Sequence, residues 1–255
     1  MNFVLKEKNK IYFVSDSHFG IDYDKYSSEF REELMLSWLD EIKSDALELH
    51  LCGDMFDFWF EYKYLVPRGF TRLFAKLREL SDLGVKLYYY LGNHDMWTFG
   101  YIEETIGAKV FKGVNLKEIN GKIFYIGHGD GLGPYDKKYN FLKKIFSSKF
   151  MQFMFRLVHP SISFRIATNW SSSSRKKHKY PKQVDFEKEW LVRYARTVLE
   201  NQKIDYFIFG HRHIPFQYNL NANTLFTNLG DWLFNFTYAV YDGENLLLKT
   251  YEKAE

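Results

Sequence analysis

The stretch Leu49-His50-Leu51-Cys52-Gly53-Asp54-Met55-Phe56-Asp57 constrains this chain more than any other. An apolar run ends abruptly in Gly-Asp. It reads as a buried strand whose chain turns sharply at its C-terminal end, and glycine permits that turn because it has no Cβ. Open α/β sheets bind ligands just outside such strand ends. Asp54 therefore stands where a carboxylate can bridge two cations through its two oxygens. The other ligands must come from the ends of other strands.

The rest of the chain supplies those strands. Ile11-Tyr12-Phe13-Val14 is β-branched and aromatic and ends in Ser15-Asp16-Ser17-His18. Ser28 to Lys43 has helical spacing of Phe30, Leu34, Trp38, Leu39 and Ile42. Ala46 to Cys52 is a second strand. Arg72 to Leu83 is a helix closed by Gly84, and Val85 to Leu91 is a third strand before Gly92-Asn93-His94-Asp95. Strand and helix alternate here, which is an α/β layout with a partly parallel sheet. The pattern then changes. Val114 to Ile119 and Lys122 to Ile126 flank Asn120-Gly121, a hairpin signal, and the second strand ends in Gly127-His128-Gly129-Asp130. Val184 to Asn201 is amphipathic. Ile204 to Phe209 is an apolar strand before Gly210-His211-Arg212-His213. The tail, with strands near Phe216–Leu220, Leu225–Leu229, Phe234–Tyr241 and Leu246–Tyr251, reads as an antiparallel sheet beside the first.

The 255 residues suit one domain, 1–255, interrupted by a helical cap over 132–182 that is rich in Phe, Met, Lys and Ser and lacks strand alternation. A net charge of +3 is too small to indicate nucleic-acid binding. The single cysteine, Cys52, excludes an internal disulfide and fits a reducing compartment and core packing. Met1 to Lys6 lacks the apolar run of a signal peptide, and no stretch is long enough to span a bilayer. A cytoplasmic protein is expected.

Eight polar residues collect at five strand ends: Asp16, His18, Asp54, Asn93, His94, His128, His211 and His213. Singly, each is explained as a turn former or an ordinary histidine. Together they contain five of the protein's eight histidines. Carboxylate, imidazole and amide-oxygen donors without thiolates suit divalent metals such as Mn, Fe, Co or Zn rather than structural zinc. Two ions sharing a carboxylate activate water and neutralise phosphoryl charge.

These residues resemble a known family. Asp16-Ser17-His18, Gly53-Asp54-Met55-Phe56-Asp57, Gly92-Asn93-His94-Asp95, Gly127-His128-Gly129-Asp130 and Gly210-His211-Arg212-His213 look like the five blocks of the calcineurin-like metallophosphoesterases, in family order. The resemblance implies a four-layer α/β/β/α sandwich with two divalent metal ions. Asp16, His18, Asp54 and His213 would hold one metal; Asp54, Asn93, His128 and His211 would hold the other. His94 would contact the phosphate, Asp95 would orient His94, and Asp57 would support the ligands.

Gly53-Asp54-Met55-Phe56-Asp57-Phe58-Trp59, the close Gly210-His211-Arg212-His213-Ile214-Pro215 and the insertion further resemble the UDP-2,3-diacylglucosamine diphosphatases of lipid A synthesis. That resemblance implies cleavage of an acylated UDP-sugar to UMP and 2,3-diacylglucosamine 1-phosphate, with Mn²⁺ the usual metal. The best-known members have Arg where this chain has His94, and Thr is common where it has Arg212, so a sister branch is implied. Arg212 either touches a phosphate or faces solvent. Asp136 and Tyr139 are placed to meet the sugar. In Trp170 to Lys179, Ser172, Arg175, Lys176 and Lys177 either form a solvated loop or bind sugar hydroxyls and diphosphate oxygens. Phe141, Phe150, Met151, Phe153 and Met154, interleaved with Lys143, Lys144, Lys149 and Arg156, either bury against the sandwich or line an acyl slot. A cationic, apolar helix also suits the cytoplasmic face of an inner membrane as a peripheral contact. Asn228 to Trp232 reads as loop support. The rival functions are a generic phosphodiesterase or phosphatase, a non-enzymatic scaffold and, more weakly, a nuclease; no basic stripe with stacking aromatics favours the last.

Overall fold

Alternate side chains along β1 (Lys10–Val14) divide between two cores. Tyr12 and Val14 join Met35, Trp38, Leu39 and Leu73 on one side, while Ile11 and Phe13 join Phe124, Ile126 and Ile208 on the other. The period of two in a strand produces this division. The structure, a computed structural model, describes residues 8–134, 137–177 and 185–252; the side chains of 137–138 and 170–177 lie outside that description.

The first half of the chain runs α1 (Ser28–Ile42), β2 (Ala46–Leu51), α2 (Thr71–Asp82), β3 (Lys86–Tyr90), α3 (Tyr101–Ile106) and β4 (Lys109–Phe111). A hairpin follows, β5 (Asn115–Ile119) and β6 (Lys122–Ile126), then α4 (Lys137–Phe146), α5 (Lys149–Leu157) and α6 (Pro160–Lys177). The rest is α7 (Trp190–Leu199), β7 (Tyr206–Phe209), β8 (Phe216–Asn221), β9 (Thr224–Asn228), β10 (Thr237–Tyr241) and β11 (Leu246–Thr250). One sheet has the order β11-β10-β1-β2-β3-β4 and the other β5-β6-β7-β9-β8. Three cores follow: helices α1–α3 on the first sheet, sheet on sheet, and α7 on the second sheet. This is the expected four-layer α/β/β/α sandwich.

Parallel pairing puts the ligand-bearing turns on common edges. β1 pairs β2 with Val14 opposite Leu51, β2 pairs β3 with Leu51 opposite Tyr89, and β6 pairs β7 with Ile126 opposite Ile208. Each of these five strands therefore ends beside a neighbour that also ends in a polar turn.

Three expectations are corrected. The tail is not one antiparallel sheet: β8 and β9 extend the second sheet, β9 pairing parallel to β7, while β10 and β11 close the first sheet beside β1. Period-two alternation is the same whichever sheet a strand joins, so the pattern did not distinguish them. The helix expected from Val184 starts at Trp190, after a turn in which Glu189 N–H bonds to Asp185 O at 3.0 Å. The serine-rich stretch, read either as a solvated loop or as a sugar- and diphosphate-binding segment, is helix rather than loop and continues α6 to Lys177. It contains no Gly or Pro to stop the helix, and cations suit a helix C-terminus.

Between the sheets lies a buried polar cluster. Lys117 on β5 bonds to Glu48 Oε2 on β2, and His50 Nε2 lies 3.2 Å from the same oxygen. The His50 ring stacks at 4.7 Å on Phe13 and 4.6 Å on Tyr88. Burial holds His50 down from its ordinary 6.5 to about 4. Burial would raise the Glu48 carboxyl, but hydrogen bonds from His50 and Lys117 outweigh it and bring it to about 2. Both groups bind fewer protons folded than unfolded, so both contributions are lost as pH falls. His50→Phe should therefore flatten the loss of unfolding free energy between pH 6.5 and 4 by on the order of 2 kcal/mol in urea titrations. An unchanged pH slope would contradict a neutral, buried His50.

Candidate metal centre

The candidate ligands sit in turns of unusual backbone. Asp16, His18, Asp54, His211 and His213 all have left-handed φ, from 44° to 67°. Non-glycine residues take this conformation at a cost of about 1–3 kcal/mol and keep it where the surroundings over-determine it. Close approach of backbone is the second device. A Cβ on Gly53 would lie 2.7 Å from His128 Nδ1, and one on Gly92 would collide with the Asp54 carboxylate. Only glycine lets the turns after β2, β3 and β6 meet there.

Three groups of potential donors result among the described residues; one is His18, Asp57 and His94, and the other two hold expected ligands. The ligand atoms of Asp16, His18 and His213 lie within 4.8 Å of one another, and so do those of Asp54, His128 and His211. His213 Nε2 is 3.3 Å and His18 Nε2 3.8 Å from Asp16 Oδ1. Asp54 Oδ2 faces both clusters, 3.1 Å from His128 Nε2 and 3.9 Å from His18 Nε2. Asn93 Oδ1 approaches His128 Nε2 to 3.3 Å. The fold thus brings together all seven residues expected as ligands.

The inner atoms fit a pair of cations. Asp16 Oδ2 accepts from Ser15 Oγ at 2.6 Å and His211 N–H at 2.8 Å, which aims Oδ1 inward. Asp16 Oδ1 and His18 Nε2 are buried without a hydrogen-bond partner. Native proteins rarely leave such atoms unsatisfied. Asp54 Oδ1 accepts the His94 N–H at 2.8 Å, leaving Oδ2 between the clusters. Carboxylate oxygens, imidazoles and one amide oxygen are the donors that intermediate divalent metals favour.

Outer contacts hold the rings. His128 Nδ1 donates to Cys52 O at 2.9 Å, which presents Nε2 to the centre. His18 Nδ1 lies 3.5 Å from Asp57 Oδ1, and His213 Nδ1 lies 3.5 Å from Asp231 Oδ2. Asp231 is in turn fixed by the N–H groups of Leu233, Phe234 and Asn235. The turn read as loop support therefore also backs a candidate ligand, and the left-handed Gly230 before it is the sequence signal for a specially shaped turn.

The orientation of His94 is a correction. Its Nδ1 donates to the Asp57 carbonyl at 2.6 Å, with Asp57 Oδ1 3.9 Å away. Asp95, expected to orient it, instead accepts from Gly92 N–H at 2.7 Å, Met55 N–H at 3.0 Å and Tyr89 O–H at 2.5 Å. Asp95 ties the second and third turns together; Asp57 serves both His18 and His94.

Charge is balanced by imidazoles in the free protein. Burial would raise the Asp16 carboxyl, but His213 and His128 bring it to about 2. Burial likewise opposes charge on His18, yet the neighbouring carboxylates of Asp16, Asp57 and Asp54 raise it to about 9. Burial and then the neighbouring His128 drop His211 to about 3, which leaves it a neutral donor. Burial also lowers His94.

Of the residues expected to meet substrate, Tyr139 is at the centre. Its hydroxyl donates to Asp130 Oδ2 at 2.5 Å and its ring lies 6.2 Å from that of His211. Lys143 joins it on Asp130 at 2.6 Å. Arg212 takes neither expected position alone: its guanidinium forks onto Glu189, at 2.9 and 3.2 Å. Asp136 lies outside the described residues. Ser172, Arg175, Lys176 and Lys177 lie on the backbone of α6, and their side chains are outside the described residues. Beside the centre is a cleft of about 290 Å³, walled by Asn93, His94, Trp97, Leu142, Phe155 and Ile166. Met154 is instead exposed to solvent, and the methionine that lines the cleft is Met96, beside Leu142, Phe155 and Ile166.

A two-sheet sandwich with these donors at five strand ends is the framework of a metal-dependent phosphoesterase. The chain belongs to the calcineurin-like phosphoesterase family, whose sequence profile matches residues 9–215. It is 36% identical to the UDP-2,3-diacylglucosamine hydrolase of Porphyromonas gingivalis, over 97% of this chain and 100% of that protein. Proteins of the same name from Histophilus somni and Vibrio atlanticus are 26% and 25% identical, covering 88% and 95% of this chain and 92% and 98% of theirs.

Removing the shared carboxylate and removing the ring beside it should differ. Asp54→Ala should cost more than about 100-fold in turnover, beyond what outer-contact changes produce, and should empty the centre of metal. His94→Ala should slow turnover with metal content intact by elemental analysis. Near-normal turnover in the first, or metal loss in the second, would contradict these roles.

Proposed function

We propose that this hydrolase cleaves the pyrophosphate bond of UDP-2,3-diacylglucosamine, giving UMP and 2,3-diacylglucosamine 1-phosphate for lipid A synthesis. The observation that carries the reading is the apolar cleft opening directly on the candidate centre at His94 and Asn93. A diphosphate seated at the ligands would place a greasy substituent against Leu142, Phe155 and Ile166. The Porphyromonas gingivalis relative whose name carries that substrate covers 97% of this chain.

The centre would hold two divalent ions, Mn²⁺ by preference, on Asp16, His18, Asp54 and His213 and on Asp54, Asn93, His128 and His211. Bound there, they supply activation of water and neutralisation of phosphoryl charge. The chain's own residues do the rest. Asp54 spaces the two clusters. His94, held by Asp57, faces the cleft and contacts the phosphoryl group or the leaving oxygen. One P–O bond forms to water, the bridging P–O bond breaks, and the water's protons end on the two phosphate products. Tyr139, Asp136, Ser172, Arg175, Lys176 and Lys177 would meet the sugar and diphosphate.

Helices α4–α6, within 132–182, act as a cap. Trp97 Nε1 donates to Phe146 O at 2.9 Å, and Phe155 packs at 4.9 Å on Phe60 and 4.6 Å on Trp97. The opposite character is also present: Phe150 is 70% and Phe141 65% exposed, next to Lys149 and Arg156. Among the described residues no helix is long and apolar enough to cross a membrane. Such a surface suits peripheral contact with the cytoplasmic face of an inner membrane, where a diacylated substrate resides.

The presence of His94 where the best-known diphosphatases have Arg favours a second reading, a general phosphodiesterase. Mass spectrometry after incubation with UDP-2,3-diacylglucosamine and Mn²⁺ distinguishes the two. UMP and the acylated sugar phosphate are expected, and Leu142→Ser with Ile166→Ser should raise KM for this substrate several-fold more than for p-nitrophenyl phosphate esters. Hydrolysis of the nitrophenyl ester alone would establish the second reading instead.

A further inference from the structure

The turn that carries Asp16 and His18 is held from two sides. Its N–H groups bond outward to the turn after β2: Asp16 N to Gly53 O at 3.0 Å, His18 N to Asp54 O at 3.0 Å and Phe19 N to Met55 O at 2.9 Å. Two of its carbonyls are also met by backbone or ring-bearing residues, Asp16 O by Trp232 N at 3.1 Å and Phe19 O by Asp57 N at 3.0 Å. Three more carbonyls face Arg31. Its guanidinium donates to Ser17 O, to His18 O at 3.4 Å and to Ile21 O at 2.5 Å.

Arg31 is an unfavourable residue for that position unless it has a task. It lies in the first turn of α1, where a cation opposes the helix dipole. It is fully buried, so its charge is removed from water. Helical side chains lean toward the helix N-terminus, which is how Arg31 reaches back past the Ser27 cap to residues 17–21. A planar fork with several donors can reach three carbonyls at once; an ammonium cannot hold the same geometry. Trp232 Nε1 fixes the backbone beneath it, donating to Arg31 O at 3.1 Å.

We propose that Arg31 is a positioning residue for one of the two candidate metal sites, that of Asp16, His18 and His213. It fixes the carbonyls of the turn on which Asp16 and His18 take left-handed φ. Asn93, His128 and His211, donors of the other site, come from the turns after β3, β6 and β7, whereas the carbonyls that Arg31 holds belong to the turn after β1. This inference rests on the ligand reading above and adds an asymmetry to it. Loss of the fork should weaken one site and leave the other.

The test uses the full chain and Mn²⁺ alone. Arg31→Lys keeps the charge and loses the fork. Its weaker site should lose about 10- to 100-fold in Mn²⁺ affinity, the range for outer-contact changes, with the other site within about 3-fold of wild type. Electron paramagnetic resonance at intermediate Mn²⁺ should show an isolated ion where wild type shows a coupled pair, and high Mn²⁺ should restore the pair and the activity. Wild-type protein that takes up fewer than two equivalents overturns the ligand reading itself. Wild type with two equivalents and Arg31→Lys with both affinities unchanged, or both lowered equally, overturns the role of Arg31 alone. Failure of both Arg31→Lys and Arg31→Gln to fold, read by circular dichroism, also overturns it, because Arg31 would then serve the whole fold.

Discussion

One buried carboxylate oxygen sets the terms for this molecule. Asp54 Oδ2 points between two groups of imidazoles and a second carboxylate, with its partner oxygen already held by the His94 N–H. Burying so many polar atoms with some of them unsatisfied is unfavourable unless cations occupy the space between them. The left-handed turns, the glycines that admit close backbone approach and the outer carboxylates Asp57 and Asp231 all serve to keep that arrangement from relaxing. The two-sheet sandwich is what makes the convergence possible, since parallel neighbours end at the same edge.

Much of this was legible in the sequence, for a physical reason. Each ligand-bearing turn follows a short apolar or aromatic run, and the abrupt switch from Phe-Val or Leu-Cys to Asp or Gly-Asp marks a strand end. The ligands themselves are the residue types that a metal requires. What sequence did not convey was direction. Asp95 adjoins His94 in the chain and Asp57 lies far from it, yet the path of the turns makes Asp57 meet the ring while Asp95 faces backbone N–H groups. The tail strands alternate identically in either sheet, so their division between two sheets was invisible. Arg31 carries no such signal in the sequence, because its burial depends on a turn folding back over it.

The segment between β6 and α7 divides its aromatics between two environments. Phe146, Phe155 and Phe164 pack on Trp97, Phe58 and Phe60, which themselves follow the turns after β2 and β3 that carry candidate ligands. Phe141, Phe150, Phe153 and Leu157 stay exposed. The same helices therefore couple the centre to an apolar outer surface. A substrate with a charged head and two acyl chains matches both sides of that arrangement, and Lys143 and Tyr139 on Asp130 anchor α4 between them.

The most direct test of the account is anomalous diffraction from crystals of the protein loaded with Mn²⁺. The arrangement requires two peaks of comparable height on either side of the Asp54 carboxylate, roughly 3.5–4 Å apart. A single peak, or two peaks that do not share Asp54, would contradict it.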